Sequence, residues 1–366
     1  MAVEIPETML ACQVVEYDKP YKIHSIPTPN PSNLQPFEIL VRVGAASLCH
    51  TDFMLLSGIF KADLPCTASH EGAGTVAAVG SDVKEFKLGD RVLCGLTYGR
   101  CGKCEDCTGP NAQGQYCRFG KGALGIGRDG NFAEYVVADG REAIHLPEKL
   151  SFKSAAPFAC AGITIWGGLV KAALKPGQWV AIVGSGGGLG HLGVQFAKAQ
   201  GLKVIGIDAR EEGLALSREC GADHTLDARE GIETVAQAVQ KITSQTGADA
   251  TINVSDHSTA AALAAAVTKM HGKMIQIAQP DVVTVPFREL VFRDVIIQGS
   301  LTTSLPEAKK MLKFVAEHNI RVRTVAFNGL EEIPKLIELA ESGKLAGKGV
   351  VLIDREATSK EAGGML

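Results

Sequence analysis

Neither sign of charge dominates this 366-residue sequence: 37 Lys and Arg face 40 Asp and Glu, for a net charge of −3. That balance lacks the basic footprint of a nucleic-acid binder or a polybasic membrane anchor, so neither kind of partner is expected. A long apolar run is missing as well. The longest uncharged stretch, residues 154–170, is interrupted by Pro157, Gly162, Gly167 and Gly168. It falls short of the roughly 20 apolar residues a spanning helix needs and reads as buried interior. Residues 1–12 carry acids and a proline instead of a basic region followed by an apolar core, so no secretory signal is expected. A chain kept in the reducing cytoplasm has little use for disulfides. Its 10 cysteines are therefore expected to be metal ligands or buried thiols.

With 46% hydrophobic and 21% charged residues, the composition suits a globular protein. At roughly 100–200 residues per domain the length suggests two domains. The first third reads as β-rich, with candidate strands at 9–16, 38–43, 74–79 and 91–94, separated by turns such as the proline-rich 27–36. Residues 111–130 are glycine-rich and read as loop, and a small-residue helical segment begins at Ser154. From Gln178 the pattern changes. Apolar runs at 179–184, 203–208, 223–226, 249–254, 273–278 and 295–300 alternate with helical stretches such as 189–200 and 259–270. This alternation predicts a doubly wound parallel α/β sheet with the six strands of a paired mononucleotide-binding arrangement. Beyond Gly299 a helix at 306–318 and a strand at 350–353 are expected, then a frayed tail over the last dozen residues. This piece is too small to be a domain and is expected to pack on the N-terminal part.

The run Gly184-Ser-Gly186-Gly187-Gly188-Leu189-Gly190 follows a predicted strand and opens a predicted helix. Glycines there allow a tight turn and a close approach of backbone to a pyrophosphate, which the helix N-terminus favours. Asp208 ends the next strand, about 20 positions on, where a carboxylate accepts hydrogen bonds from a ribose and repels a 2′-phosphate. NAD is therefore expected over NADP, although Arg210 keeps NADP use open.

Cys101, Cys104, Cys107 and Cys117 have the spacing of a tetrahedral, closed, structural zinc site; four thiolates also suit an iron–sulfur cluster. Lys103 is placed to offset their charge. Cys49, His70 and Cys160 are further candidates, but their spacing alone does not assemble them into one site.

These segments together are similar to the zinc-containing medium-chain alcohol dehydrogenases, above all the yeast-like ones. The residues that carry the likeness are Cys49-His50-Thr51-Asp52, His70-Glu71-Gly72-Ala-Gly74, Gly89-Asp90-Arg91-Val92, the cysteine cluster, Cys160-Ala-Gly and the Gly184–Gly190 loop. The resemblance covers nearly the whole chain, in the family's order. It implies a β-rich GroES-like catalytic domain at 1–163 and 303–366, and a Rossmann NAD-binding domain at 164–302. It also implies two zinc ions per subunit. Cys49, His70 and Cys160 match the ligands of the catalytic zinc, with Glu71 close enough to approach the metal and Asp52 placed to orient His70. Lys348 and His50 match residues at the cofactor phosphates. The implied reaction is reversible hydride transfer between an alcohol and NAD, with Thr51 passing on the hydroxyl proton, in a homotetramer or a dimer.

Two departures from the family pattern bear on substrate. Met54 stands where many members end the proton relay with histidine, and methionine carries no proton. Phe60 and Leu96 stand where the yeast-like enzymes have tryptophans, so a pocket for alcohols or aldehydes larger than ethanol is expected. Two alternatives remain at this point: an NADP-linked aldehyde reductase of a biosynthetic pathway, and a non-catalytic nucleotide-binding member of the fold.

Overall fold

The computed structural model describes residues 5–109 and 112–361. The chain forms two compact units. One comprises the described residues up to Cys160, Ser304–Asn319 and the described residues from Thr324 on; the other comprises Ala161–Thr303 and Ile320–Arg323. The junctions thus lie at Cys160/Ala161 and Thr303/Ser304, not at 163/164 and 302/303.

The first unit is built on a seven-stranded sheet. Its central strand is β1 (Glu38–Ser47), buried along its whole length except at Arg42. Helix α1 (His50–Leu56) follows directly. Strand β2 (Glu71–Val79) pairs antiparallel with β1 and sets Ser47 opposite Glu71. The C-terminal strand Lys348–Leu352 pairs with the same end of β1, Val350 opposite Ser47. Three chain segments far apart in sequence therefore converge where β1 ends. Beneath them lies an apolar core that includes Ile39, Val41, Val43, Leu55, Phe132 and Val351.

The second unit carries six parallel strands: β3 (Trp179–Val183), β4 (Lys203–Asp208), β5 (His224–Asp227), β6 (Ala248–Asn253), β7 (Thr268–Gln276) and β8 (Ile296–Gly299). Their order in the sheet is β5-β4-β3-β6-β7-β8. The chain reverses direction across the sheet between β3 and β6, the switch point at which such folds bind nucleotides. Helix α2 (Gly190–Ala199) leaves the end of β3 through the glycine run.

Three expectations need correction. The helix read at 259–270 stops at Val267, and β7 begins at Thr268. The β-branched Thr268 turns its hydroxyl back to Ala264 O (2.7 Å) and to Thr251 Oγ1 (2.8 Å), which ends the helix and starts the ladder. The tail is not frayed from 355 on: Arg355–Lys360 is a helix whose N-terminus Asp354 caps through the Ala357 amide. Its glycine-containing end, residues 362–366, lies outside the described residues. In the loop at 111–130, where Asn111 also lies outside them, Ala123–Leu124 and Gly127–Arg128 form a small parallel ladder. Short strands that were not foreseen occur at Lys22–Pro27, Tyr135–Asp139 and Thr324–Asn328. No single helix among the described residues is long and apolar enough to cross a membrane. Within 154–170, Ala161–Leu169 are all buried.

Candidate functional site

The four clustered cysteines meet as their spacing predicts. Neighbouring Sγ atoms stand 3.9 Å (Cys101–Cys107), 3.6 Å (Cys104–Cys107), 3.7 Å (Cys104–Cys117) and 3.6 Å (Cys117–Cys101) apart. No pair is bonded as a disulfide. A tetrahedron with metal–sulfur bonds of 2.3 Å has edges of about 3.8 Å, so the cage fits one ion and is too small for an iron–sulfur core. The backbone amide of Lys103, not its ammonium group, is the main influence pulling the Cys101 thiol down to about 6. The lobe is anchored at its base: the Gly99 amide donates to Asp139 Oδ2 (2.9 Å), and Arg100 pairs with Glu142.

The second cluster forms where β1, β2 and the C-terminal strand converge. Cys49 lies just past the end of β1, His70 just before β2, and Cys160 at the end of the first unit's N-terminal portion. Donor atoms of Cys49, His70, Glu71 and Cys160 all lie within 4.8 Å of one another. His70 is 1% exposed, and neither ring nitrogen has a hydrogen-bond partner. Two buried, unsatisfied ring nitrogens are costly in a protein interior unless a ligand takes them up. Two thiols, an imidazole and the Glu71 carboxylate gathered this closely suit a zinc ion; Cys49, His70 and Cys160 alone would leave a fourth position for an exchangeable ligand.

The charges are coupled. A hydrogen bond from Cys160 holds the Cys49 thiol well below its ordinary value, aided by the positive charges of His70 and Lys348 and opposed by burial. The same bond, with burial, pushes Cys160 well above. Burial pushes His70 down, but Cys49, Asp52 and Glu71 outweigh it and hold the imidazole up to about 9. Burial raises Glu71 to about 7 against the pull of Lys348.

Asp52 does not reach His70 with a hydrogen bond. Its Oδ2 accepts from the Cys49 amide and its Oδ1 from the Ser69 amide, both at 2.8 Å. It orients the ligands by clamping the backbone at Cys49 and next to His70. Lys348, expected at the cofactor phosphates, is 4% exposed; its Nζ lies 2.7 Å from Glu71 Oε2 and donates to Leu48 O at 2.6 Å. Ser47, which no motif singles out, donates to the same Glu71 oxygen. Thr51 Oγ1 lies 3.7 Å from the Cys49 sulfur. His50 is exposed at the start of α1 with its ring 6.5 Å from that of Phe53. Met54 is half-buried on the same helix. Phe60 and Leu96 stand outside the four-donor cluster: Phe60 packs on the core, and half-buried Leu96 accepts the Leu124 amide through its carbonyl.

In the second unit the glycine run makes a tight turn. Gly184 adopts φ 86°, and a Cβ on Gly190 would sit 2.1 Å from Gly184 O, so no larger residue fits at Gly190. The Gly187 amide donates to Gly184 O (3.1 Å), whereas the amides of Gly188 and Leu189, next to the N-terminus of α2, have no backbone acceptor among the described residues. Amides left so at a helix N-terminus can receive an anion. Asp208 is buried at the end of β4; its Oδ2 accepts from the Gly186 amide (2.9 Å), and its Oδ1 from Arg210 N (3.0 Å) and Nε (3.3 Å).

A buried four-donor cluster in one unit and a dinucleotide-type sheet in the other are the working parts of a metal-dependent dehydrogenase. Comparison with known proteins leads to the same class. Residues 35–148 match the alcohol dehydrogenase GroES-like domain, and residues 188–317 match the zinc-binding dehydrogenase domain. An alcohol dehydrogenase of Geobacillus stearothermophilus is 33% identical over 94% of this chain and 100% of its own length. The alcohol dehydrogenase of Aeropyrum pernix has 29% identity and a TM-score of 0.85, covering 94% of this chain and 99% of the other. A zinc-binding dehydrogenase of Sinorhizobium meliloti, solved with NADP bound, has 26% identity and a TM-score of 0.82, covering 95% and 100%. The chain belongs to the zinc-binding, medium-chain alcohol dehydrogenase family.

Proposed function

We propose that this protein oxidises primary alcohols larger than ethanol with NAD, and reduces the matching aldehydes, using one catalytic and one structural zinc ion. Some secondary alcohols and ketones fall within the same reading. The cofactor assignment is carried by Asp208, a buried carboxylate at the end of the second strand beside the glycine turn. Negative charge there disfavours a 2′-phosphate. Zinc held by Cys49, His70 and Cys160 would supply a Lewis acid that brings an alcohol's pKa towards neutrality, and NAD the hydride acceptor.

The chain's own residues do the rest. Asp52 fixes the backbone that presents Cys49 and His70. Thr51, one turn of α1 from Met54, takes the alcohol proton at Oγ1. Met54 cannot carry that proton further, so it leaves through His50 or through water. Phe60 and Leu96 leave room where bulkier side chains would narrow the pocket. The paired, buried Lys348 would have to leave Glu71 to reach a cofactor phosphate, which leaves His50 as the more accessible of the two cations assigned there.

A homo-oligomer, tetramer or dimer, is supported by exposed apolar side chains before and on the edge strand β8. Val282, Phe287, Val291, Phe292 and Ile296 are each at least half exposed, and patches of this kind mark association surfaces. Cysteines kept as thiols rather than disulfides suit the cytoplasm.

Arg210 on Asp208 favours a second reading, NADP-linked aldehyde reduction, because its guanidinium could turn to a 2′-phosphate. A panel of alcohols and aldehydes assayed with both cofactors separates the two. A higher kcat/KM with NAD, on benzyl or longer-chain alcohols rather than ethanol, supports the first reading. Preference for NADP, or for ethanol, defeats it.

A further inference from the structure

His191, the second residue of α2, is fully buried. Its ring spans two backbone segments. Nδ1 meets Gly187 O at 2.9 Å, and Nε2 accepts from the Arg323 amide at 3.1 Å. A backbone N–H can only donate, so Nε2 is the acceptor and Nδ1 carries the proton. The tautomer is thereby set by the fold. Gly187 O also receives the His191 amide at 3.2 Å, so one side chain and its own backbone grip a single carbonyl of the glycine run. That carbonyl belongs to the peptide whose other end is the Gly188 amide, one of the two amides left open for an anion.

The Arg323 end is braced in turn. Gln195, one turn along α2, accepts from Arg321 N at 2.9 Å and donates to Arg321 O at 2.8 Å. Ile320–Arg323 is the short segment that groups with this unit although the chain on both sides of it does not. A glycine loop has little stiffness of its own. Here its stiffness is borrowed from a histidine anchored to a segment more than a hundred residues away in sequence.

We propose that His191 is a positioning residue for the dinucleotide: it fixes the Gly187–Gly188 peptide, and hence the amides that meet the pyrophosphate, through a ring held between Gly187 and Arg323. This rests on the reading that the Gly184–Gly190 loop binds a dinucleotide. The two bonds can be tested separately, because the Asn amide nitrogen superposes on Nδ1 and the Gln side-chain oxygen on Nε2. His191→Asn keeps a donor for Gly187 O; His191→Gln keeps an acceptor for Arg323 and loses the donor.

The test is binding of ADP-ribose and of adenosine, by calorimetry, to the zinc-loaded wild type and both variants. ADP-ribose contains the pyrophosphate and adenosine does not. With His191→Gln, the ADP-ribose Kd is expected to rise about tenfold, the equivalent of one hydrogen bond's net strength, with adenosine binding unchanged. With His191→Asn, the ADP-ribose Kd stays within about threefold of wild type. Equal ADP-ribose affinity in wild type and His191→Gln overturns the positioning role alone. So does a matching loss for adenosine, which marks general loosening of the unit. A wild type that binds neither ADP-ribose nor NAD overturns the dinucleotide reading itself, and this role with it.

Discussion

Lys348 and Glu71 form a buried ion pair at 2.7 Å, and Glu71 is itself one of the four donors gathered with Cys49, His70 and Cys160. Breaking a buried pair leaves an uncompensated charge and costs about 3–5 kcal/mol. Lys348→Met should therefore lower the unfolding free energy by about that amount in denaturant titrations. Adding Glu71→Gln should restore part of the loss, since no charge is then left stranded. A single variant as stable as wild type would show that the pair is open to water.

The proposed function has Thr51 take the substrate proton. Thr51→Ala should lower kcat by about a hundredfold, and Thr51→Ser should keep most of it, as expected of a lost proton acceptor. Met54→His should add a titrating group to the pH–rate profile of kcat/KM. A Thr51→Ala enzyme that turns over normally would remove Thr51 from the proton path.

Asp208 holds the Gly186 amide, and the proposed function has it oppose a 2′-phosphate as well. Asp208→Gly should raise kcat/KM for NADP relative to NAD, and should also weaken NAD itself because the turn loses its brace. Steady-state kinetics with both cofactors reads both effects. An unchanged NAD-to-NADP ratio would mean that selectivity lies elsewhere.

Asp249 ties the strands of the second unit together. It accepts from the Trp179 amide (2.7 Å), Gln178 Nε2 (3.0 Å) and Lys269 Nζ (2.6 Å). Burial pushes its carboxyl up, but these partners outweigh burial and hold it below the usual value. A depressed folded pKa contributes stability that is complete above the unfolded value near 3.9 and is lost as pH falls through the folded one. Asp249→Asn should therefore cost about 1–2 kcal/mol at neutral pH and progressively less below about pH 4. A cost that does not vary with pH would contradict the charge's role.

The local features were legible in the sequence, and the non-local ones were not. Cys101–Cys117 lie close along the chain, so spacing alone anticipated their cage. The glycine run and Asp208 sit on consecutive strands of a regular alternation, so pattern alone placed them. Cys49 and His70 meet because the register of β1 and β2 sets Ser47 opposite Glu71, and Cys160 joins them from a separate segment after the Ala156–Ala159 turn; no periodicity encodes this, and family likeness brought the three together. Lys348 beside Glu71 depends on the C-terminal strand pairing with β1, and Asp52 on a clamp to two amides; likeness named both residues but not their partners. Thr268 reads as the end of an alanine-rich helix until its hydroxyl is seen to close that helix early. His191 reads as one more residue of an amphipathic helix, and only Arg323, brought close by the fold, gives its ring a task.

The most direct test of the catalytic centre is zinc content and NAD-linked alcohol oxidation, measured on the same preparations of wild type and Cys160→Ser. Two zinc ions per chain are expected in the wild type. The variant should hold the Cys101–Cys117 ion alone, keep its fold by circular dichroism, and lose oxidation of benzyl alcohol. A folded variant with undiminished activity, or a wild type fully active with zinc at Cys101–Cys117 alone, would contradict a catalytic metal held by Cys49, His70 and Cys160.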